Sequence, residues 1–198
     1  MQLDNFLPTY QFGEFHSVTV KAPPERVFSA IRELRPAELS PVIFWLLNIR
    51  ELPARLTGKQ APNVAQAGPF LEQLYQGGFI PLAGQPGREI VFGLVGQFWK
   101  LTGGDDPHIP DPQAFRTFDN PAFAKVAANL LVTERGDGGT QCSTETRVYV
   151  PEPATRRKFA FYWRIISMGS AFIRVLWLRA SKKKAERASG STTPGNRR

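Results

Sequence analysis

Four side chains in this sequence have the types and neighbours to do acid–base or polar anchoring chemistry. Glu145 and Arg147 stand two apart in Ser143–Val148. On a strand that spacing puts both on one face. Turned outward they form a solvated pair of little energetic weight. Turned inward they form a polar anchor, with Arg147 donating to a ligand carbonyl or carboxylate. His16 shares the face of Val18 and Val20. Its ordinary pKa near neutrality suits an acid or base, and a hydrogen-bonded core histidine is the structural alternative. Tyr162 is the fourth. Asp105, Asp106, His108 and Asp111 cluster as well, but Pro107, Pro110 and Pro112 mark a rigid turn region there. The acids do not follow the ligand order of a calcium loop, so neither a metal nor another cofactor is expected. The chain has no Gly-rich phosphate loop, no zinc-type Cys/His set and no nucleophile elbow.

Whether the polar groups meet a ligand depends on the last long periodic segment. Phe159, Tyr162, Trp163, Ile166, Ser170, Ile173 and Trp177 recur at spacings of three and four. A second stripe runs through Phe161, Ile165, Met168, Phe172 and Leu176. The apolar arc is wider than a one-sided surface helix requires. Two readings are open. The stripes pack as plain core, or the small residues Gly169 and Ser170 thin the middle and leave a cavity touched by Tyr162, Ile166 and Ser170. The Arg88–Trp99 segment is apolar on both faces, with Ile90, Phe92, Leu94 and Phe98 on one and Val91 and Trp99 among the other. Phe92 is the candidate cavity residue from this strand.

The elements that must position these residues follow from periodicity and breakers. Phe12–Lys21 alternates as a strand, and Ala22-Pro23-Pro24 ends it. Val27, Phe28, Ile31 and Leu34 predict a helix that starts at Pro24. A second helix is expected over Pro41–Ile49, a loop over Gly58–Gly68, and a short helix over Phe70–Tyr75 closed by Gly77-Gly78. Strands are expected at Phe79–Leu82, Arg88–Trp99, Ala114–Phe118, Ala124–Arg135 and Thr140–Val150. Gly136-Asp137-Gly138-Gly139 makes the last two a hairpin. A helix follows from Ala154 to about Lys184, and then a polar tail. The order is α+β, an antiparallel sheet with a long C-terminal helix. Residues 1–185 are expected to form one domain and 186–198 a disordered basic tail.

Composition excludes several classes. At 198 residues, 42% hydrophobic and 21% charged, the chain is one globular unit. Its net charge of +8 is concentrated at the end: from Arg179 onward there are seven basic residues and one acid. The body is nearly neutral, so no nucleic-acid footprint is expected. The single cysteine, Cys142, fits a cytoplasmic protein. Met1–Asn5 does not begin a secretory signal, and the uninterrupted apolar runs are far shorter than the roughly 20 residues of a spanning helix. Lys182, Lys183 and Lys184 follow an apolar helix end. They serve either as a solvated helix C-terminus or as a weak contact with an anionic membrane surface.

Longer stretches carry a resemblance. Val20-Lys21-Ala22-Pro23-Pro24-Glu25-Arg26-Val27-Phe28 resembles the opening of the START-like (SRPBCC) superfamily, a strand leading through Ala-Pro into a helix with an aromatic anchor. Glu89–Trp99, Phe118–Ala124, Ser143–Val148, Arg156–Arg164 and Gly169–Arg174 resemble one bacterial branch of it that has no agreed reaction. The resemblance implies a helix-grip fold, a curved antiparallel sheet around the C-terminal helix, with a pocket between them. The implied function is binding of a small hydrophobic ligand such as a lipid, sterol or polyketide, with no assigned chemistry. The alternatives it leaves open are a cyclase/dehydratase-like or hydrolytic enzyme using acid–base residues in that pocket, and a peripheral lipid-transfer protein. The polar residues expected to touch the ligand are Glu145, Arg147 and His16.

Overall fold

The computed structural model describes residues 1–39, 68–100, 105 and 107–190. Its elements are β1 (Phe12–Val20), α1 (Pro24–Arg32), α2 (Phe70–Gln76), β2 (Ile80–Gln85), β3 (Glu89–Gly96), α3 (Pro112–Thr117), β4 (Ala124–Glu134), β5 (Thr140–Tyr149) and α4 (Pro153–Gly190), with 3-10 turns at Gln2–Asn5 and Pro36–Glu38. The helix expected at Pro41–Ile49 and nearly all of the loop expected at Gly58–Gly68 lie outside the described residues.

The strands form one antiparallel sheet in the order β1-β5-β4-β3-β2. The first strand therefore pairs with the last, Phe12 opposite Val148 and Val20 opposite Thr140. The long helix α4 lies across one face of the sheet, the helix-grip arrangement that the resemblance implies.

Directly opposed residues on antiparallel strands share a face, and the register sorts the sheet cleanly. The face toward α4 carries Phe12, Glu14, His16 and Val18 of β1; Cys142, Thr144, Thr146 and Val148 of β5; Ala128 and Leu130 of β4; and Ile90 and Phe92 of β3. The other face is also covered. There Val91, Val95 and Ala127 pack with Leu3, Phe6, Leu7 and Phe115 from the N-terminal turn and α3. A strand buried on both faces loses its alternation, which is why β3 is apolar throughout.

Two expectations are corrected. Ala114–Phe118 is not a strand but part of helix α3: the Asp111 side chain accepts the Ala114 N–H at 2.7 Å and Pro112 opens the first turn. An Asp-Pro cap and start signal outweighs a short apolar alternation here. The terminal helix also runs past Lys184 to Gly190, so residues 186–190 are helical. Glu186 explains this, since it accepts the Lys21 N–H at 2.8 Å and pairs with Lys182 at 3.4 Å, tying those turns to the sheet.

Candidate functional site

The inner face of α4 is closed at both ends by aromatic clusters. At its start, buried Phe159 meets Phe12, Trp99, Tyr162 and Trp163 with ring centroids 5.0 to 5.9 Å apart. Near its end, buried Trp177 meets Phe70 at 5.0 Å and Phe92 at 6.3 Å. Between the two clusters Ile166, Ser170, Ile173 and Arg174 are only half-buried. Among the described residues, mid-helix thus lacks the aromatic cover that closes its two ends.

Beneath this stretch the sheet presents polar side chains where a core would present apolar ones. Glu14 lies opposite Thr146 and His16 opposite Thr144 across the β1–β5 pair. Arg174 reaches down from α4, with Nη1 donating to Thr144 Oγ1 at 3.2 Å and Nε to Ser170 Oγ at 3.4 Å. His16 Nε2 and Glu14 Oε2 are 3.8 Å apart, too far for a hydrogen bond. Glu14 Oε2, His16 Nε2 and Thr146 Oγ1 are buried and have no hydrogen-bond partner among the described residues. Burial pushes the Glu14 carboxyl above its ordinary pKa, against the pull of Arg174 and His16. Burial also pushes the Arg174 guanidinium down to about 10, against the favourable charge of Glu14. A guanidinium at that value is still a cation at neutral pH, and among the described residues Ser170 and Thr144 take only two of its five N–H groups. Cys142 is on the same face, but burial pushes its thiol up to about 12, so it is no nucleophile at neutral pH.

The structure places the sequence-derived candidates on two sides of the sheet. Tyr162, Ile166 and Ser170 lie along the inner side of α4, and His16 and Phe92 lie on the sheet face below it. Glu145 and Arg147 lie on the opposite face, so neither the inward anchor nor the solvated pair describes them. Arg147 is 6% exposed. Its Nε donates to Glu145 at 2.7 Å, its Nη1 to Asp4 at 2.8 Å and the Leu7 carbonyl at 3.2 Å, and its guanidinium lies 4.9 Å from the centre of the Tyr10 ring. The Glu145 N–H donates to Asn129, whose amide donates to Glu89 at 2.8 Å, and Glu89 accepts the Gln2 N–H at 2.8 Å. These residues form a buried network that staples the N-terminal turn to the back of the sheet. Parity alone could not say which face was the back, because the cover comes from Leu3, Phe6 and Leu7.

Sequence reasoning missed Glu14, Thr144, Thr146 and Arg174 as site residues. Two signals were available. Glu14 is two residues before His16 and so shares its face, and Arg174 interrupts the inner stripe between Ile173 and Trp177. Among the acids proposed for a cation, Asp111 caps α3 and Asp106 lies outside the described residues. No cluster of three metal-ligating side chains occurs among the described residues. Of the three terminal lysines, Lys182 donates to the Thr19 carbonyl at 2.7 Å, and Lys184 to Glu38 at 2.9 Å and the Glu33 carbonyl at 2.9 Å. Only Lys183 of the three is exposed.

No family model matches the chain, and no curated protein matches it. Solved structures similar to it include CalU16 from Micromonospora echinospora, 14% identical with a TM-score of 0.30, covering 90% of this chain and 86% of that one. TTHA0849 from Thermus thermophilus is 10% identical with a TM-score of 0.31 over 90% and 99%. Ara h 8.0201 is 12% identical with a TM-score of 0.32 over 89% and 98%. Likeness at this level carries no argument about ligand or reaction.

Proposed function

We propose that this protein is a START-like binding domain that holds a small, largely apolar molecule between α4 and the sheet, with an oxygen-bearing head group on Arg174. The set of buried atoms beside that guanidinium that have no partner among the described residues carries the reading: Glu14 Oε2, His16 Nε2 and Thr146 Oγ1. Each orphaned buried polar atom costs about 1–3 kcal/mol, and a native site with three of them is explained by a guest that answers them. The apolar body has the aromatic clusters around Phe159 and Trp177 to lie against. A carbonyl or carboxylate oxygen suits the remaining donors of Arg174.

The test is native mass spectrometry of protein taken from its own host, beside Ser170→Trp. The wild type should carry one small molecule, or take up a fluorescent fatty acid. Ser170→Trp should do neither and should melt close to the wild type, because the indole occupies unfilled space. A wild type that carries nothing and takes up no probe rejects the reading. So does a Ser170→Trp loss of more than about 1–3 kcal/mol, the cost of overpacking a filled core.

A second reading is favoured by the convergence of titratable groups, two or more of which mark a reactive site. Glu14, held protonated to higher pH than usual, and His16 flank the place where an Arg174-bound carbonyl would sit. In this reading His16 takes a proton from the carbon next to the carbonyl, and the electron pair moves onto the oxygen against Arg174. Deuterium uptake from D2O by a long-chain methyl ketone, lost in His16→Gln or Glu14→Gln, is the expected result. No uptake above buffer rejects it.

A further inference from the structure

The outer side of α4 has no role in the site described. Phe161, Ile165, Met168 and Phe172 are 72%, 61%, 75% and 45% exposed. Their spacing of four, three and four puts them in one line along the helix, about 17 Å long at 1.5 Å per residue. Isolated exposed apolar residues need no explanation, but a contiguous line of large ones marks a contact surface.

The ends of this line are cationic. Arg157 and Lys158 lie one turn before Phe161, and Arg179 and Lys183 lie two and three turns beyond Phe172 on the same side; all four are exposed. The only acid in α4 is Glu186, which is engaged with Lys182 and the Lys21 N–H. Apolar side chains along the line, with long cationic ones at both ends and the exposed Arg164 at its flank, form the pattern of a helix that lies in a membrane interface, with Arg and Lys reaching to the head groups. By length and composition alone α4 would also cross a bilayer. Phe159, Trp177 and Leu178, buried against other elements, keep it on the sheet.

We infer that the outer face of α4 docks this domain on an anionic membrane surface. Charge separates that occupant from a second copy of the chain. Two such helices face to face would bring cations against cations with no free acid on α4 to answer them. Area points the same way: four aromatic-sized side chains, even fully exposed, would only reach about 800 Å², the size one partner brings to a stable protein interface.

The test is flotation of the full chain with vesicles of equal parts phosphatidylglycerol and phosphatidylcholine, and with phosphatidylcholine alone. The wild type should float with the anionic vesicles, at least about tenfold less with the neutral ones, and less at high salt. Phe161→Glu with Met168→Glu, and separately Arg179→Glu with Lys183→Glu, should each lose about tenfold or more. Both should retain the wild-type melting temperature and fatty-acid uptake, since these positions are exposed. Absence of flotation overturns the inference. Equal flotation of either double variant overturns it, as does a wild-type dimer that Met168→Glu dissociates, which would put a second copy on the stripe.

Discussion

Replacing Arg174 with Met separates a ligand-binding role from a structural one. The guanidinium is a cation held under α4, pushed from its usual 12.5 to about 10 by burial. In the folded chain the charged form is disfavoured, so below that pH the native state carries a cost the unfolded chain does not. At about 1.4 kcal/mol per tenfold, and discounted because Arg174 is only half-buried, the cost is of order 1–3 kcal/mol. Met removes it while keeping an apolar stem of similar length. Set against this is the loss of the Thr144 bond at 3.2 Å and the longer Ser170 bond at 3.4 Å, together about 1–2 kcal/mol. Glu14 also loses the favourable charge of Arg174 and shifts further toward the protonated form. The expected net effect runs from a loss of about 1 to a gain of about 2 kcal/mol in urea denaturation, which is a few degrees in Tm for a chain this size. A residue that costs stability and is kept anyway is a mark of a functional site. If Arg174 is instead a structural tie, removing it breaks a buried polar network and costs about 3–5 kcal/mol. A loss of that size, with an unchanged denaturant slope, refutes the reasoning.

Three other outcomes follow from the same structure. Arg147→Met should cost about 2–4 kcal/mol by urea denaturation, because it strands Glu145 and frees the N-terminal turn, whereas Asp4→Ala should cost under about 1 kcal/mol, since Asp4 is half exposed. The Glu14 carboxyl titrates above its usual 4.5 in the folded state. The folded chain thus binds that proton more tightly, and stability is lost as pH rises from the usual value through the folded one. The stability of the wild type relative to Glu14→Gln should fall from pH 4 to pH 7, and a constant or rising difference would contradict the assignment. Gly93→Ala should cost about 1–3 kcal/mol by thermal melting, because its Cβ would come within 2.7 Å of Leu82 and 2.8 Å of Phe115; a neutral result would mean α3 packs loosely on β3.

Much of the architecture was legible because it rests on local signals. Val18 and Val20 beside His16, the Gly136–Gly139 hairpin and the stripe through Phe159 and Trp177 each fix an element and its inner side. The site was less legible because it depends on which face of each strand meets α4. Glu145 and Arg147 look like a pocket pair, and Thr144 and Thr146 between them look like filler. Strand parity treats both sets equally. The choice is made by the N-terminal turn, where Asp4 and Leu7 take Arg147 to the back of the sheet. Arg174 was hidden by its setting, one cation in a helix end rich in them. Its distinction is that it faces Thr144, which depends on the helix phase relative to a strand 30 residues away.

The most direct measurement compares a fluorescent fatty acid with its methyl ester in wild type and Arg174→Met. A charge-assisted bond is worth about 1.5–3 kcal/mol, so the wild type should bind the acid roughly ten- to a hundredfold more tightly than the ester. Arg174→Met should bind the two alike, with an ester affinity close to that of the wild type. If the wild type does not distinguish them, or if Arg174→Met keeps the preference for the acid, Arg174 does not hold the head group and the account of the site is wrong.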